Sequence, residues 1–437
     1  MQVFFLLAIR VLVDNELSTC VAGGVEIIGL HATVAPRRQQ TQAAPITEKY
    51  TFVPYRQMEL GKTDCSLQQY AKLCTKYIKH RMDALLDNGI ADKIPNRELF
   101  QKVLEQSESC DGVQSEVEQY LIKEKNQYSL LNLIHDVFGL QSDDNFLQKA
   151  KTVIEEGRDK LSQDRLLSFM LHPERLKPCL DLALENGKRT KVKVVEFCCR
   201  GCSPIYPHVI SLLQTQPMLN VEYVLTGPGA AGISDDVPEK YGIRMVPWDG
   251  SLDPPHNMVA DILVIRNVYV SSVSGLLRNL VGVLAEGGFL LLQEPTTNFS
   301  IPLFLGGLTN DLSADDSQGL FNDSAHWEKY LQDLELNVIS LLADGILYNT
   351  FLCQKQKDVP KNPPVIDVSD VHFSWIEELK VAMINQEKAV DNGRIWLRVQ
   401  AESPSGVIGL VNCLRQEPGG AGIRSDLLLN ACLGTLL

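Results

Sequence analysis

The chain has 437 residues, of which 45% are hydrophobic and 22% are charged. This length and composition predict two or three domains with ordinary packed cores. The formal net charge of −13 argues against non-specific nucleic-acid binding, because proteins that bind in this way carry a basic surface. No apolar run reaches the length of a membrane-spanning helix. We therefore expect neither nucleic acid nor a membrane as a partner.

The eleven cysteines are scattered along the chain without the spacing of a disulfide framework. This usage predicts a reducing compartment, and we expect the cytoplasm. The apolar start of the chain, MQVFFLLAIRVLV, resembles a signal peptide at first sight. It lacks a basic first segment and a small-residue cleavage site, so a β-strand is the favoured interpretation.

Residues 1–35 are rich in apolar and β-branched side chains, with Gly23-Gly24 as a turn signal. They predict two or three strands, too few for a fold of their own. His31 follows one of these runs, and a structural role for it is favoured over catalysis. The polar, proline-flanked sequence that comes next predicts a linker over residues 36–56.

Helical periodicity dominates residues 57–187, which we interpret as a helical subdomain. One more helical pattern closes at Glu185-Asn186-Gly187, just before an apolar strand. The other predicted helices are Cys65–Asp87, Asn96–Glu105, Val113–Lys123, Ser129–Phe138, Asn145–Lys160 and Arg165–Leu171.

Strands and helices alternate over residues 188–356, which predicts a doubly wound α/β core with a largely parallel sheet. A final strand pair, ending in NTFLCQK, matches the antiparallel hairpin that closes the sheet of class I, Rossmann-like methyltransferases. The predicted strands are Lys193–Cys198, Glu222–Leu225, Ile243–Pro247, Ile262–Arg266, Phe289–Gln293, Val338–Leu342 and Asn349–Gln354. The predicted helices are Tyr206–Gln214, Ser274–Val283 and Trp327–Leu334.

Residues 357–372, which include QKDVPKNPP, predict a second linker. A new α/β pattern occupies residues 373–437. It begins with a helix, continues with the strand RIWLRV and then reads SGVIGLVNCLRQ.

The turn after the first strand of the α/β core is the position where an S-adenosylmethionine site would need glycines. Small residues there let backbone N–H groups approach the ligand closely. The turn reads CCRGCS, and Gly201 is its one glycine. Glu196, near the end of that strand, lies where methyltransferases of this fold often carry an acid.

The two other requirements of such a site concern the second and fourth strands. The second strand should end in an acid that binds the ribose hydroxyls, but it ends in Thr226 and is followed by no Asp or Glu before Asp235. Asn267 follows the fourth strand, where it could face a ligand or equally satisfy turn backbone. The sequence thus predicts a methyltransferase scaffold with a filled, vestigial pocket at Glu196, Gly201, Thr226 and Asn267, without catalytic residues.

Cys198, Cys199, Cys202 and His208 form a short run of metal-ligand residue types. A structural zinc site needs a second ligand pair further along the chain, and the sequence offers none. Buried or half-buried thiols are therefore favoured over a metal site.

Three stretches of the chain resemble an animal-type, insect-like fatty acid synthase. Gly23–Gln40 is similar to the end of the dehydratase, a hotdog domain. Val194–Pro295 resembles the inactive, methyltransferase-like domain of the family. Ser405–Gly420, SGVIGLVNCLRQEPGG, resembles the start of the truncated ketoreductase-like structural domain and is the most specific match.

The resemblance implies a homodimeric, cytosolic megasynthase that makes fatty acids from acetyl-CoA and malonyl-CoA. Its NADPH and phosphopantetheine belong to other domains, so we expect no cofactor in this chain unless the pocket still binds S-adenosylmethionine. The implied partners are the dehydratase, enoyl reductase and ketoreductase domains and the acyl carrier protein. Both ends depart from the family pattern, which leads us to expect a partial chain.

The leading hypothesis is a non-catalytic structural segment of such a synthase. The first alternative is an active S-adenosylmethionine-dependent C-methyltransferase of a polyketide-synthase-like megasynthase. A further alternative is a free-standing binding module that uses the vestigial pocket for another small molecule. The first alternative predicts several glycines after the first strand and an acid at the end of the second.

Overall fold

The computed structural model divides the chain into two compact units, Met1–Phe52 and Val53–Leu437. No helix in the described ranges is long and apolar enough to cross a membrane. The structure describes residues 11–14, 19–22, 25–28, 57–60, 65–87, 112–124, 127–141, 145–158, 160–161, 164–187, 191–199, 202–216, 219–233, 240–268, 273–296, 301, 304–305, 308, 324–343, 347–356, 363–388, 394–401, 406–415 and 417–429.

The first unit contains a three-stranded antiparallel sheet in the order β1-β2-β3. Its strands are β1 (Val11–Asp14), β2 (Thr19–Ala22) and β3 (Val25–Ile28). Ala22 pairs with Val25, so the register leaves two residues between β2 and β3, where the glycine pair predicted a turn. The three strands agree with the sequence prediction. His31 and the linker predicted over 36–56 lie outside the described residues.

In the described residues, the second unit begins with a strand and six helices. Five of the predicted helices are present with nearly the predicted limits, and the one predicted at Asn96–Glu105 lies outside the described residues. The elements are β4 (Gln57–Leu60), α1 (Cys65–Asp87), α2 (Val113–Lys123), α3 (Leu130–Phe138), α4 (Phe146–Arg158), α5 (Arg165–Met170) and α6 (Pro173–Asn186).

A buried carboxylate joins three of these helices. Asp164 is only 1% exposed and precedes α5, whose Leu166 N–H donates to it at 2.8 Å. The hydroxyl of Tyr70 from α1 and the backbone N–H of Leu130 from α3 also donate to Asp164, each at 2.8 Å. Because a buried carboxylate is costly unless it is hydrogen-bonded, these bonds fix how the helices meet.

An eight-stranded sheet forms the centre of the second unit, in the order β4-β10-β11-β9-β8-β5-β6-β7. All neighbouring pairs are parallel except those of β11, which runs antiparallel to β9 and β10. The remaining elements are β5 (Lys191–Cys198), α7 (Tyr206–Leu213), β6 (Asn220–Thr226), β7 (Ile243–Val246), β8 (Ala260–Arg266), α8 (Val273–Gly282), β9 (Leu284–Pro295), α9 (Ser324–Asp333), β10 (Leu336–Ala343) and β11 (Tyr348–Lys355).

Helices cover both faces of this sheet, as the apolar strands predicted. Successive residues of β5 point to opposite faces, so Val194 belongs to the apolar core beneath α6 and α7. Its neighbour Val195 belongs to the core beneath α8 and α9. The doubly wound α/β fold of the class I methyltransferase type is therefore confirmed.

Two short strands differ from the sequence prediction. β4 lies at the start of the region interpreted as helical, where it extends the sheet by pairing in parallel with β10. A three-residue strand, β12 (Val365–Asp367), lies inside the predicted linker 357–372. Elements this short contain no full period of apolar residues, so strand partners distant in sequence decide their structure.

The C-terminal segment forms a second parallel sheet in the order β12-β13-β14. The helix and strand that the sequence predicted after residue 373 are both present. The elements that follow β12 are α10 (Ile376–Lys388), β13 (Ile395–Ala401), α11 (Val407–Leu414) and β14 (Ile423–Leu429).

Two arginines connect this C-terminal segment to the end of α6, and we call this contact the arginine seam. Arg415 is 6% exposed and donates to the Glu185 carboxylate at 2.9 Å and to the Glu185 carbonyl at 2.6 Å. Arg424 donates to the carbonyls of Asn186 and Gly187 at 3.2 and 3.3 Å. Cations at a helix C-terminus satisfy its last carbonyls and complement its dipole.

Candidate functional site

The carboxyl ends of β5, β6 and β8 meet at one edge of the large sheet. Phe197 pairs with Thr226 of β6 and Cys198 pairs with Arg266 of β8, so the three strands end at the same level. Ligands of open parallel sheets bind outside this edge. The structure thus brings the predicted residues Glu196, Thr226 and Asn267 to one place, whereas Gly201 lies outside the described residues.

Glu196 is bound on both oxygens by the protein itself. It is 3% exposed, and the backbone N–H of Ile205 donates to its Oε1 at 2.5 Å. The hydroxyl of Tyr223, from the neighbouring strand β6, donates to its Oε2 at 2.7 Å. Burial raises the pKa of Glu196, while these two donors and the charge of Arg266 act in the opposite direction. The acid that could contact a ligand is therefore part of an internal hydrogen-bond network.

Thr226 is the last residue of β6, the position where an S-adenosylmethionine site would need an acid that binds the ribose. Its side chain is fully buried, and Oγ1 donates to the backbone carbonyl of Trp248 at 3.2 Å. A threonine hydroxyl that is already used in this way offers no charged acceptor for a vicinal diol.

The loop after β6 packs directly onto the turn after β5. Gly227 has a φ of 101°, and a Cβ atom there would lie 2.4 Å from the carbonyl oxygen of Cys198. A Cβ on Gly229 would lie 2.2 Å from the carbonyl oxygen of Cys199. Because these residues are glycines, two stretches of protein backbone can approach each other closely. In a ligand-binding turn, glycines let the backbone approach the ligand instead. This role of Gly227 and Gly229 was not predicted from the sequence, although the glycines of TGPG are visible there.

Asn267 begins the loop after β8 with a φ of 54°, a conformation that asparagine tolerates better than most residues. Its backbone N–H donates to the carbonyl of Gln293 at 3.0 Å, and its side-chain nitrogen lies 3.5 Å from Cys202 Sγ. Burial raises the pKa of Tyr348, and a hydrogen bond with Asn267 acts in the opposite direction. The Asn267 side chain thus points toward the protein at this edge of the sheet, where Cys202 lies.

A polar network that the sequence analysis missed crosses the same edge. Arg266 donates to Gln293 Oε1 at 3.0 Å, and Gln293 in turn donates to Thr350 Oγ1 at 3.2 Å. Glu294 accepts from the backbone N–H of Val268 at 2.6 Å. The available signal was QEP at the end of the fifth strand of the core, which resembled a common structural feature of such folds.

Among the described residues, a small cavity lies at this edge. Its volume is about 10 Å³, close to the volume that one water molecule needs. Pockets for small organic ligands typically have volumes of roughly 300–1,000 Å³. The cavity is lined by Glu196, Phe197, Cys198, Cys202, Ser203, Val264 and Arg266.

The cysteine run is a set of thiols at the turn. Cys198 and Cys199 are buried and Cys202 is half-buried, which agrees with the predicted thiols. Burial lowers the pKa of His208, which lies on α7. Within the described part of the chain, no group of three or more His, Cys, Asp or Glu residues is arranged to hold a metal ion.

Comparison with known proteins gives one family match and several similar structures. Residues 372–432 match the family described as fatty acid synthase, pseudo-KR domain. A crystal structure of the CurJ carbon methyltransferase is 15% identical, with a TM-score of 0.48, and the match covers 67% of this chain and 93% of that one.

The citrinin polyketide synthase CMeT domain is also 15% identical, with a TM-score of 0.49 and coverages of 68% and 90%. The human N-acetylserotonin methyltransferase, in complex with SAM, is 11% identical with a TM-score of 0.32 and coverages of 59% and 70%. The resemblance to fatty acid synthase is thus confirmed in the C-terminal segment by the family match.

Proposed function

We propose that this chain is a non-catalytic, structural segment of a fatty-acid-synthase-like protein, whose methyltransferase-like domain does not bind S-adenosylmethionine. The observation that carries the proposal is the occupation of the ligand edge by the protein itself. Glu196 is bound by Ile205 and Tyr223, and the loop at Gly227 lies on the backbone of Cys198.

The residues at the edge do not fit S-adenosylmethionine. Its amino-acid part would need the space where the loop at Gly227 and Gly229 contacts the turn after β5. Its ribose would need a charged acceptor at the end of β6, where Thr226 instead donates to Trp248. A ligand that contacts Glu196 would have to replace its bonds with Ile205 and Tyr223, which would leave buried polar groups without their partners.

The family match in the C-terminal segment supports a multidomain synthase as the context of this chain. In that context the partners are the dehydratase, enoyl reductase and ketoreductase domains and the acyl carrier protein, within a cytoplasmic homodimer. The domain limits predicted from the sequence, including the core over 188–356, belong to the same proposal. The role of the segment is then to hold neighbouring domains in position.

The proposal is tested by thermal unfolding of the full chain with and without saturating S-adenosylmethionine or its demethylated product. A ligand at ~100 times its dissociation constant adds about 2.7 kcal/mol to stability, which raises the melting temperature by roughly 2–4 °C in a protein of this size. We expect no shift. An active methyltransferase, measured in parallel with the same ligand stock, is the positive control.

A reproducible shift would contradict the proposal and favour the C-methyltransferase alternative. The decisive second measurement is then transfer of a labelled methyl group from S-adenosylmethionine to a 3-ketoacyl thioester. A shift that disappears in Glu196→Gln would show that the ligand uses the edge described above, whereas a shift that persists would place the ligand elsewhere.

A further inference from the structure

The turn that replaces the glycine-rich loop contains a Cys-x-x-Cys sequence, Cys199-Arg200-Gly201-Cys202. The backbone N–H of Cys202 donates to the carbonyl of Cys199 at 3.0 Å. A hydrogen bond from an N–H to the carbonyl three residues earlier is typical of Cα atoms within about 7 Å, and disulfides need a Cα separation of about 4.4–6.8 Å. The backbone geometry is therefore compatible with a bond between the two side chains.

The two thiols differ in their exposure. Cys199 is fully buried in the apolar core under α8, and Cys202 is half-buried and packs against the same core. The pKa of Cys199 is raised mainly by burial and secondly by the charge of Cys202, so the two sulfur atoms influence each other directly. Cys202 is thus the thiol that a small oxidant reaches first, with Cys199 beside it.

Polar groups hold Cys202 in this position. The side-chain amide of Asn267 lies 3.5 Å from Cys202 Sγ, and the thiol of Cys198 lies 3.0 Å from the carbonyl oxygen of Cys202. The thiolate form of a cysteine is the nucleophile in thiol oxidation.

We propose that Cys199 and Cys202 form a disulfide-modification site whose oxidant is a hydroperoxide. The Cys202 thiolate attacks one peroxide oxygen, the O–O bond breaks, and Cys202 becomes a sulfenic acid while the other oxygen leaves as water after taking up a proton. The Cys199 sulfur then attacks the Cys202 sulfur, the S–O bond breaks and a second water leaves. Two thiols lose two hydrogen atoms in total, and one hydrogen peroxide is reduced to two water molecules.

Trypsin offers a direct test, because it cleaves at Arg200, between the two cysteines. The full native chain is treated with a slight excess of hydrogen peroxide, the remaining thiols are alkylated, and the protein is digested without reductant. We expect the peptide that ends at Arg200 and the peptide that begins at Gly201 to be detected as one linked species that separates on reduction. Without the disulfide, the two peptides separate in the digest.

Single variants identify the pair. The linked species is expected to disappear in Cys199→Ser and in Cys202→Ser, and to persist in Cys198→Ser and in the distant control Cys353→Ser. Persistence in Cys199→Ser together with loss in Cys198→Ser would overturn the assignment in favour of a Cys198–Cys202 bond. Irreversible oxidation of Cys202 without any linked species, in a chain with native circular dichroism, would overturn the site itself.

Discussion

Glu196 at the sheet edge and Arg415 in the arginine seam are two buried charged groups that the chain uses in different ways. Glu196 is bound by groups of its own α/β core, Ile205 and Tyr223, at a place where related folds bind a ligand. Arg415 is bound by groups from two segments, Glu185 at the end of α6 and Ile423 in β14. The first group is held within one core, and the second joins two parts of the molecule.

Both buried groups constrain the structure around them. A buried charge costs free energy unless it is paired and hydrogen-bonded, so each of these groups constrains whatever surrounds it. At the sheet edge the constraint holds Glu196 in its bonds with Ile205 and Tyr223. At the seam it fixes the three-stranded C-terminal sheet against α6. Both observations support the proposed structural role.

The largest effect is expected from Gly227→Ala, which changes the contact between the loop after β6 and the turn after β5. The substitution adds backbone strain at a φ of 101° and a contact at 2.4 Å with the Cys198 carbonyl oxygen. Strain and overpacking of about 1–3 kcal/mol each predict a loss of roughly 2–6 kcal/mol in urea unfolding.

Gly242→Ala is the matched control for this substitution. Gly242 also has a positive φ, 66°, but no atom lies within 4 Å of its added Cβ. Its expected cost is the strain alone, about 1–2 kcal/mol. Equal costs for the two variants would contradict the close packing of the loop on the turn.

A smaller effect is expected from Arg415→Ala, which removes the Arg415 contacts of the arginine seam. The variant removes the donors of the Glu185 and Ile423 carbonyls, each of which then loses its charged partner. We expect a loss of roughly 2–4 kcal/mol. Hydrogen exchange should show this loss of stability as faster exchange of the amides in β13 and β14. The amides in β5 and β8 should be much less affected.

Lys380→Ala on the same C-terminal segment is the control for the seam. Lys380 forms an exposed ion pair with Glu377 on α10, and such pairs contribute little. Protection of β13 and β14 should therefore stay close to that of the parent chain. Equal exchange in Arg415→Ala and Lys380→Ala would show that the seam does not stabilise the C-terminal sheet.

The smallest effect is a pH dependence that comes from Glu196. Burial raises its pKa above the ordinary value of 4.5, so the folded chain holds this proton more tightly than the unfolded chain. Its contribution to stability is therefore fully present below pH 4.5 and is lost as the pH rises through the raised pKa.

Glu196→Gln removes this titration while it keeps the size of the side chain. The difference in unfolding free energy, parent minus variant, should be constant below pH 4.5 and should then decrease as the pH rises. Denaturant unfolding at a series of pH values measures it. A difference that instead increases with pH would mean that the folded-state pKa is lowered.

The sequence predicted most regular elements because their apolar periods are long. The limits of α1 and α2 were predicted without error, and the seven strands predicted for the α/β core are present. Glu196, Thr226 and Asn267 lie at one edge because the parallel strands that precede or contain them end at the same side of the sheet. Their assignment to a vestigial pocket stays a prediction. Prediction failed for β4 and β12, which depend on distant partners.

The contacts at the carboxyl ends of β5, β6 and β8 could be predicted only in part. The missing glycines and the missing acid were visible in the sequence, but the atoms that occupy the space were not. Tyr223 reaches Glu196 because β6 lies beside β5, and Arg266 reaches Gln293 because β9 lies beside β8. A single sequence does not state which strands are neighbours.

The sequence by itself determined the order of helices and strands, the α/β class and the degraded state of the turn after β5. These properties depend on local periodicity and on residue type, which are local quantities. Only the tertiary structure decided that Glu196 binds Tyr223, that the loop at Gly227 lies on Cys198, and that Arg415 reaches Glu185. Those contacts join residues between 27 and 230 positions apart, and their geometry depends on how the whole core packs.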